Sequence, residues 1–259
     1  MIIDCHTHLE FYPDKEFNTR KLMDSMKKAG IEKSLVYAGE MFNCPNEKLL
    51  EEVAPFKKNL FPIGSISPLS ENRPTLEQVE KWLADKELYG LKFYPGYEYF
   101  YPEDEKLKPY LKLLEKYNQP AIFHSGDTWN RTKRAKLKYA HPFNIDDLAV
   151  DMPELKIVIA HFGYPWVVDT AEIVFKNKNI FTDCSGLVYD SVKPADEILL
   201  KRLFSDYILF GGSIDKLLFG TDWSLSGQKE YVAYISQLPL NEQQKAQVFC
   251  ENSLRLFNL

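Results

Sequence analysis

Two histidines one residue apart close the first apolar run of this chain, Ile2-Ile3-Asp4-Cys5-His6-Thr7-His8-Leu9. In a strand, side chains alternate with period two, so His6 and His8 share a face and Thr7 and Cys5 point away. Two imidazoles leaving one face can reach a single divalent ion at about 2.0–2.1 Å each. Taken alone, His-x-His is equally the mark of a polar strand end. The other histidines separate the two readings. Of five in the chain, His124 closes Pro120-Ala121-Ile122-Phe123 and His161 closes Ile157-Val158-Ile159-Ala160. An acid, Asp222, closes Leu217-Leu218-Phe219-Gly220-Thr221. Short apolar runs of this kind are what buried parallel strands produce. Three histidines and an aspartate at strand ends make a nitrogen and oxygen donor set suited to zinc, manganese or iron.

Such residues need a scaffold that gathers strand ends. Strand-like runs are predicted at 2–5, 34–38, 60–64, 90–93, 121–124, 156–160, 180–183 and 216–220. Helical patterns alternate with them at 16–29, 46–57, 75–86, 104–117, 145–151, 166–176, 194–210 and 228–237, and a last helix is predicted over 241–257. Pro109 should bend or delay the fourth of these helices. Helix-start signals stand at Thr75 after Pro74 and at Asn144 ahead of Asp146 and Asp147. Eight β–α repeats with no linker or composition break predict one domain over 1–259, an α/β chain forming a (β/α)₈ TIM barrel with a C-terminal helix. Barrels of this type build their active site at the C-terminal ends of the strands. His6, His8, Lys92, His124, His161 and Asp222 should therefore ring one mouth. A doubly wound open sheet is the alternative, but no Gly-rich phosphate loop follows the first strand.

Composition narrows the partners. A length of 259 residues suits one such barrel, and 45% hydrophobic content supplies its core. The formal charge of −5 argues against nucleic acid and gives no sign of a membrane-surface partner. Four cysteines, Cys5, Cys44, Cys184 and Cys250, show no CxxC pair, so they are read as packed thiols in a reducing compartment. The first strand begins with no basic n-region ahead of it, and no run reaches the roughly 18–20 apolar residues of a membrane span. A cytoplasmic protein is expected.

As an ordered set, the motifs resemble those of the amidohydrolase superfamily, in its amidohydrolase-related branch. That branch holds metal-dependent hydrolases and also aminocarboxymuconate semialdehyde decarboxylase. The resemblance covers nearly the whole chain. It rests on Asp4-Cys5-His6-Thr7-His8, Gly90-Leu91-Lys92-Phe93-Tyr94-Pro95, Phe123-His124-Ser125-Gly126 and Tyr139-Ala140-His141-Pro142. It continues through Pro153-Glu154-Leu155-Lys156-Ile157-Val158-Ile159-Ala160-His161-Phe162-Gly163, Phe219-Gly220-Thr221-Asp222 and Glu251-Asn252-Ser253-Leu254-Arg255-Leu256-Phe257. The resemblance implies that His6, His8, His124 and Asp222 hold a metal, with His161 nearby as an acid/base. Zinc heads the candidates, ahead of Mn²⁺ or Fe²⁺. One ion per chain is favoured over two, because the branch resembled is mostly mononuclear. A bound divalent ion lowers the pKa of its water toward about 7, and His161 or Asp222 then takes the proton and delivers it to the leaving group.

Lys92 bears on the number of ions. Some amidohydrolases carboxylate a strand-four lysine to bridge two metals, which requires lowering a pKa ordinarily near 10.4. The reading preferred here is a free ammonium that binds a substrate carboxylate or pairs with an acid such as Asp222. The aromatic stretch after Lys92, including Tyr94 and Tyr97, would sit over the mouth as the apolar wall of a pocket or as a cover packed on itself. The loop after His124 carries Arg131, Lys133, Arg134, Lys136 and Lys138, with Trp129 ahead of them. A charge run is commonly a solvated face, yet this one lies on the catalytic side, and Arg131 is proposed to grip a substrate carboxylate through paired hydrogen bonds. His141 and Trp223 are read as structural.

These observations predict hydrolysis of a small-molecule amide, ester or lactone, on a substrate that can be anionic, with no nucleic-acid or membrane partner. The aromatic-rich loops leave room for a homo-oligomer. The second reading is a metal-dependent non-oxidative decarboxylase of a small carboxylated substrate. A metal-dependent nuclease ranks lower, because barrel DNases with an Asp-x-His-x-His start carry an acid where Lys92 stands and show more basic surface. Nothing favours an inactive metal-binding barrel, since every expected metal and base position is filled.

Overall fold

A computed structural model describes residues 1–11, 16–17, 19–39, 44–128, 134–188 and 194–259. Eight parallel strands form one sheet in sequence order: β1 (Ile3–Thr7), β2 (Lys33–Tyr37), β3 (Leu60–Ser65), β4 (Leu91–Phe93), β5 (Ala121–Phe123), β6 (Ile157–Ile159), β7 (Ile180–Asp183) and β8 (Leu217–Leu218). Helices alternate with them, and the ring is closed between β8 and β1. There Cys5 N donates to the Phe219 carbonyl (2.9 Å), Asp222 N to the His6 carbonyl (2.8 Å) and His8 N to the Trp223 carbonyl (2.6 Å). This is a (β/α)₈ TIM barrel.

Period-two alternation divides the strand side chains. Leu91 and Phe93, Ala121 and Phe123, and Ile157 and Ile159 pack in the larger core with the surrounding helices. Leu35, Tyr37, Phe61, Ile63, Ile122, Val158 and Leu218 form the inner cluster. Lys92, between two outward residues, thereby faces the barrel interior and has no solvent exposure.

One local departure from alternation matters. On β1, Asp4 pairs with Ser34 and Thr7 with Val36, so three residues advance against two across a β-bulge. Ile3 and Cys5 belong to the inner cluster, and within the bulge His6 also turns inward, its ring stacked on Tyr37 at 4.2 Å. Cys5 is the packed thiol expected, fully buried in the inner cluster, and the bulge lets His6 share that interior.

Other boundaries shift for stated reasons. The fourth helix starts at Lys108, with Pro109 in its first turn where the missing N–H costs nothing. The stretch Glu16–Phe17 pairs antiparallel with Glu10–Phe11, so the first helix is Thr19–Ala29. The C-terminal helix runs from Glu242 to Phe257 through a wider π turn at Gln247–Glu251. Among the described residues, no helix is long and apolar enough to cross a membrane.

Candidate metal centre

Three donors, from β1, from the residue just past it and from the segment after β8, converge at the C-terminal mouth. Asp222 Oδ1 lies 3.3 Å from His8 Nε2 and 3.9 Å from His6 Nε2. One ligand atom from each of the three falls within 4.8 Å of the others. Asp222 adopts a left-handed backbone (φ 64°), a conformation costly for a residue with a Cβ. It is held by its N–H to the His6 carbonyl and by Leu225 N, which donates to the Asp222 carbonyl (2.9 Å).

Burial sets the protonation of this cluster. Removal from water pushes His6 down to about 3, aided by the Lys92 charge. Burial likewise lowers His124 and His161. For Asp222 burial opposes ionisation, but the His8 hydrogen bond outweighs it, joined at acid pH by the charge that His161 and His6 then acquire, and the carboxyl is held below its usual range. Neutral imidazoles beside a carboxylate are the state in which these groups ligate a divalent cation, so the residues present fit a metal site.

A second group forms around the other edge of His6. Asp183, fully buried at the end of β7, accepts from His6 Nδ1 through Oδ2 (3.0 Å). Its Oδ1 accepts from His161 N (3.0 Å), Ser185 N (3.0 Å) and Ser185 Oγ (2.5 Å). Ser185 Oγ is also 2.8 Å from His161 Nδ1 and 3.1 Å from His6 Nδ1. His161, Phe162 and Gly163 are consecutively left-handed, with φ of 60°, 53° and 59°. Gly186 (φ 67°) closes the space between them: a Cβ there would lie 2.9 Å from both Asp222 Oδ2 and His161 Nδ1.

Sequence reasoning left Asp183 and Ser185 unassigned. A signal was present, since Asp183 closes the run Ile180-Phe181-Thr182 as His161 and Asp222 close theirs. It also passed over Asp4, whose buried carboxylate accepts from Thr221 N (3.0 Å), Thr221 Oγ1 (2.6 Å) and Gln228 Nε2 (2.8 Å), tying β1 to the segment that carries Asp222. Burial raises Asp4 to about 6.

The remaining expected residues divide. Lys92 Nζ stands 3.5 Å from His6 Nε2. His124 is beside the cluster, its ring 5.2 Å from that of His161, but its Nε2 faces the Asp127 carbonyl (3.1 Å) and it joins neither three-residue donor group. Tyr97 packs on His124 with ring centres 4.7 Å apart, whereas Tyr94 is buried with its hydroxyl donating to the Ala38 carbonyl (2.8 Å). Arg131, with Trp129 and Lys133, lies outside the described residues. Within the same basic loop, Lys136 Nζ sits 4.0 Å from the centre of the Tyr99 ring. His141 has other partners: it accepts from Phe143 N (3.3 Å), packs on Trp166 and lies 3.6 Å from Asp169. Trp223 is buried, its carbonyl pairing with His8 N.

Comparison with known proteins places these features in context. The family model described as Amidohydrolase matches residues 3–259. No match is found among curated proteins. Among solved structures, an uncharacterized TIM-barrel protein from Bordetella bronchiseptica is 21% identical, with a TM-score of 0.76, 99% of this chain covered and 98% of that one. A probable 2-pyrone-4,6-dicarboxylic acid hydrolase from Acinetobacter baumannii is 15% identical, with a TM-score of 0.74 and coverage of 100% and 99%. The 5-carboxyvanillate decarboxylase of Sphingomonas paucimobilis is 15% identical, with a TM-score of 0.73 and coverage of 100% and 99%. At these identities the structural likeness speaks for the fold, while the sequence-family match extends over nearly every residue: the chain belongs to the amidohydrolase family.

Proposed function

We propose that this chain is a metal-dependent hydrolase of a small-molecule amide, ester or lactone, with one divalent ion, zinc first, held by His6, His8, His124 and Asp222. The observation that carries this reading is the convergence of His6, His8 and Asp222 ligand atoms within 4.8 Å, at a barrel mouth that also holds His161. A divalent ion bound there supplies a positive charge that brings the pKa of water toward about 7 and polarises the substrate carbonyl.

The chain's own groups do the rest. Asp222, kept ionised, or His161, kept neutral, accepts the proton that water loses as its oxygen bonds to the acyl carbon. The same proton passes to the departing nitrogen or oxygen as the acyl bond breaks. Lys92, unable to reach solvent, offers its ammonium to a substrate carboxylate. Tyr94 and Tyr97 form the apolar wall of the pocket, and Arg131 pairs with a second anionic group.

A decarboxylase is the second reading, favoured by the buried Lys92 cation next to the donor set and by structural neighbours that include 2,6-dihydroxybenzoate decarboxylase from Rhizobium. Elemental analysis of protein purified without chelators is the first test. About one zinc, manganese or iron per chain is expected, and failure to bind any metal on reconstitution overturns both readings. Screening amides, esters, lactones and aromatic carboxylates then separates them: acid release with water uptake marks the hydrolase, CO₂ release the lyase.

A further inference from the structure

We infer that the Asp183-Cys184-Ser185 turn at the end of β7 fixes the tautomers of two histidines, so that His6 and His161 each carry their proton on Nδ1 and a bare lone pair on Nε2. For His6, this deepens the metal-centre reading above and rests on it.

The assignment follows from counting protons. A carboxylate only accepts hydrogen bonds, so the 3.0 Å contact of Asp183 Oδ2 with His6 Nδ1 requires the proton to be on Nδ1. The ring's other nitrogen is then an acceptor, and it is this Nε2 that faces Asp222 Oδ1. A serine hydroxyl has one proton to give. Ser185 Oγ makes its shortest contact, 2.5 Å, with Asp183 Oδ1 and must donate there, because that oxygen has nothing to donate back. Only the lone pairs of Ser185 Oγ then remain for His161 Nδ1 at 2.8 Å. The Ser185 carbonyl, also an acceptor, lies 3.3 Å from the same nitrogen. His161 therefore holds its proton on Nδ1, and its Nε2 is free to take one up.

The same carboxylate also anchors the backbone of His161. Its Oδ1 accepts from His161 N at the start of the three left-handed residues. For residues with a Cβ that conformation is unfavourable, so it needs an external hold. Asp183 is thus a positioning residue for both histidines: it orients the ring of one and the main chain of the other. An imidazole ligand that gives its second nitrogen to a carboxylate is oriented and made more basic, and loss of such a partner costs about 10–100-fold in metal affinity.

Nitrogen-15 spectra of metal-free, ¹⁵N-histidine-labelled wild-type protein read the tautomers directly, with His6 and His161 assigned through H6Q and H161Q. Both rings are expected as Nδ1–H. Either ring found with its proton on Nε2, or averaging between the two forms, overturns the inference without recourse to any Asp183 variant. In D183N the side chain can present an oxygen to His6 or to the His161 and Ser185 N–H groups, but not to both. Zinc affinity, measured against a competing chelator, should fall about 10–100-fold, and an unchanged affinity overturns the part assigned to His6. In S185A only the Ser185 carbonyl at 3.3 Å is left to hold the His161 proton on Nδ1, so a second tautomer should appear for His161 while His6 keeps its own; a His161 pattern unchanged from wild type overturns the serine's part. A wild-type chain that shows both rings as Nδ1–H yet takes up no zinc supports the clamp and sinks only the metal-centre reading.

Discussion

Nζ of Lys92 stands 3.5 Å from Nε2 of His6, both residues shut off from solvent inside the barrel. The aromatic faces of Tyr37 and Tyr94 lie 5.2 and 5.5 Å from the same ammonium, a partial compensation for its lost hydration. Burial brings Lys92 down to about 8, so the charged form still prevails at neutral pH. Lys92→Met keeps the length and removes the charge. The Michaelis constant for a carboxylated substrate should rise about 10–100-fold, the loss of one charge-assisted hydrogen bond, with metal content unchanged at about one per chain. A fall in metal content from two to one would instead mark Lys92 as a carbamylated bridge.

The proposed ligand set predicts a coupling between metal and stability. Stripping the protein with a chelator removes a ligand that binds only the folded chain, worth about 2.7 kcal/mol when the ion is at 100 times its dissociation constant. For a chain of this size that is a fall in melting temperature of about 5–10 °C. His8→Ala should show the same low melting point with or without zinc, because Asp222 then loses its 3.3 Å partner and the site one donor. A zinc-dependent rise of the wild-type size in this variant would remove His8 from the ligand set.

Gly186 keeps Asp222 and His161 at their present spacing. An added methyl would lie 2.9 Å from both Asp222 Oδ2 and His161 Nδ1, on a backbone with φ of 67°. Gly186→Ala should destabilise the chain by about 1–2 kcal/mol from the left-handed backbone alone, and weaken zinc binding by displacing Asp222. Denaturant unfolding and chelator competition measure the two effects separately.

Asn252 provides a control away from the mouth. It is fully buried and its Nδ2 donates to the carbonyls of Ile214 (2.7 Å) and Leu217 (2.8 Å), fastening the C-terminal helix to the start of β8. Asn252→Ala takes this donor from the Leu217 carbonyl, while the Ile214 carbonyl keeps the N–H of Leu217, and should cost about 1–3 kcal/mol. Metal affinity should stay at the wild-type value, and a parallel loss would mean that β8 itself had moved Asp222.

Much of this architecture was written in local pattern. Eight apolar runs separated by helical periodicity specify the barrel, because each strand must be buried on both faces and each helix on one. That fold brings strand ends together, so His6, His8 and Asp222 were recognisable as a set before any coordinate was known. The helix delayed to Lys108 was legible too, since Pro109 is tolerated in a first turn and not deeper. Local pattern could not show the bulge on β1, which depends on three residues advancing against two of β2 and so exists only in the pairing. Nor could it show that Asp183 Oδ2 meets His6 Nδ1, or that His124 turns its Nε2 to the Asp127 carbonyl. Residue type and spacing decide which groups reach the mouth. Which atom of each ring faces which partner is a matter of angstroms between distant strands, and hydrogen-bond directions are satisfied only once all eight are in place.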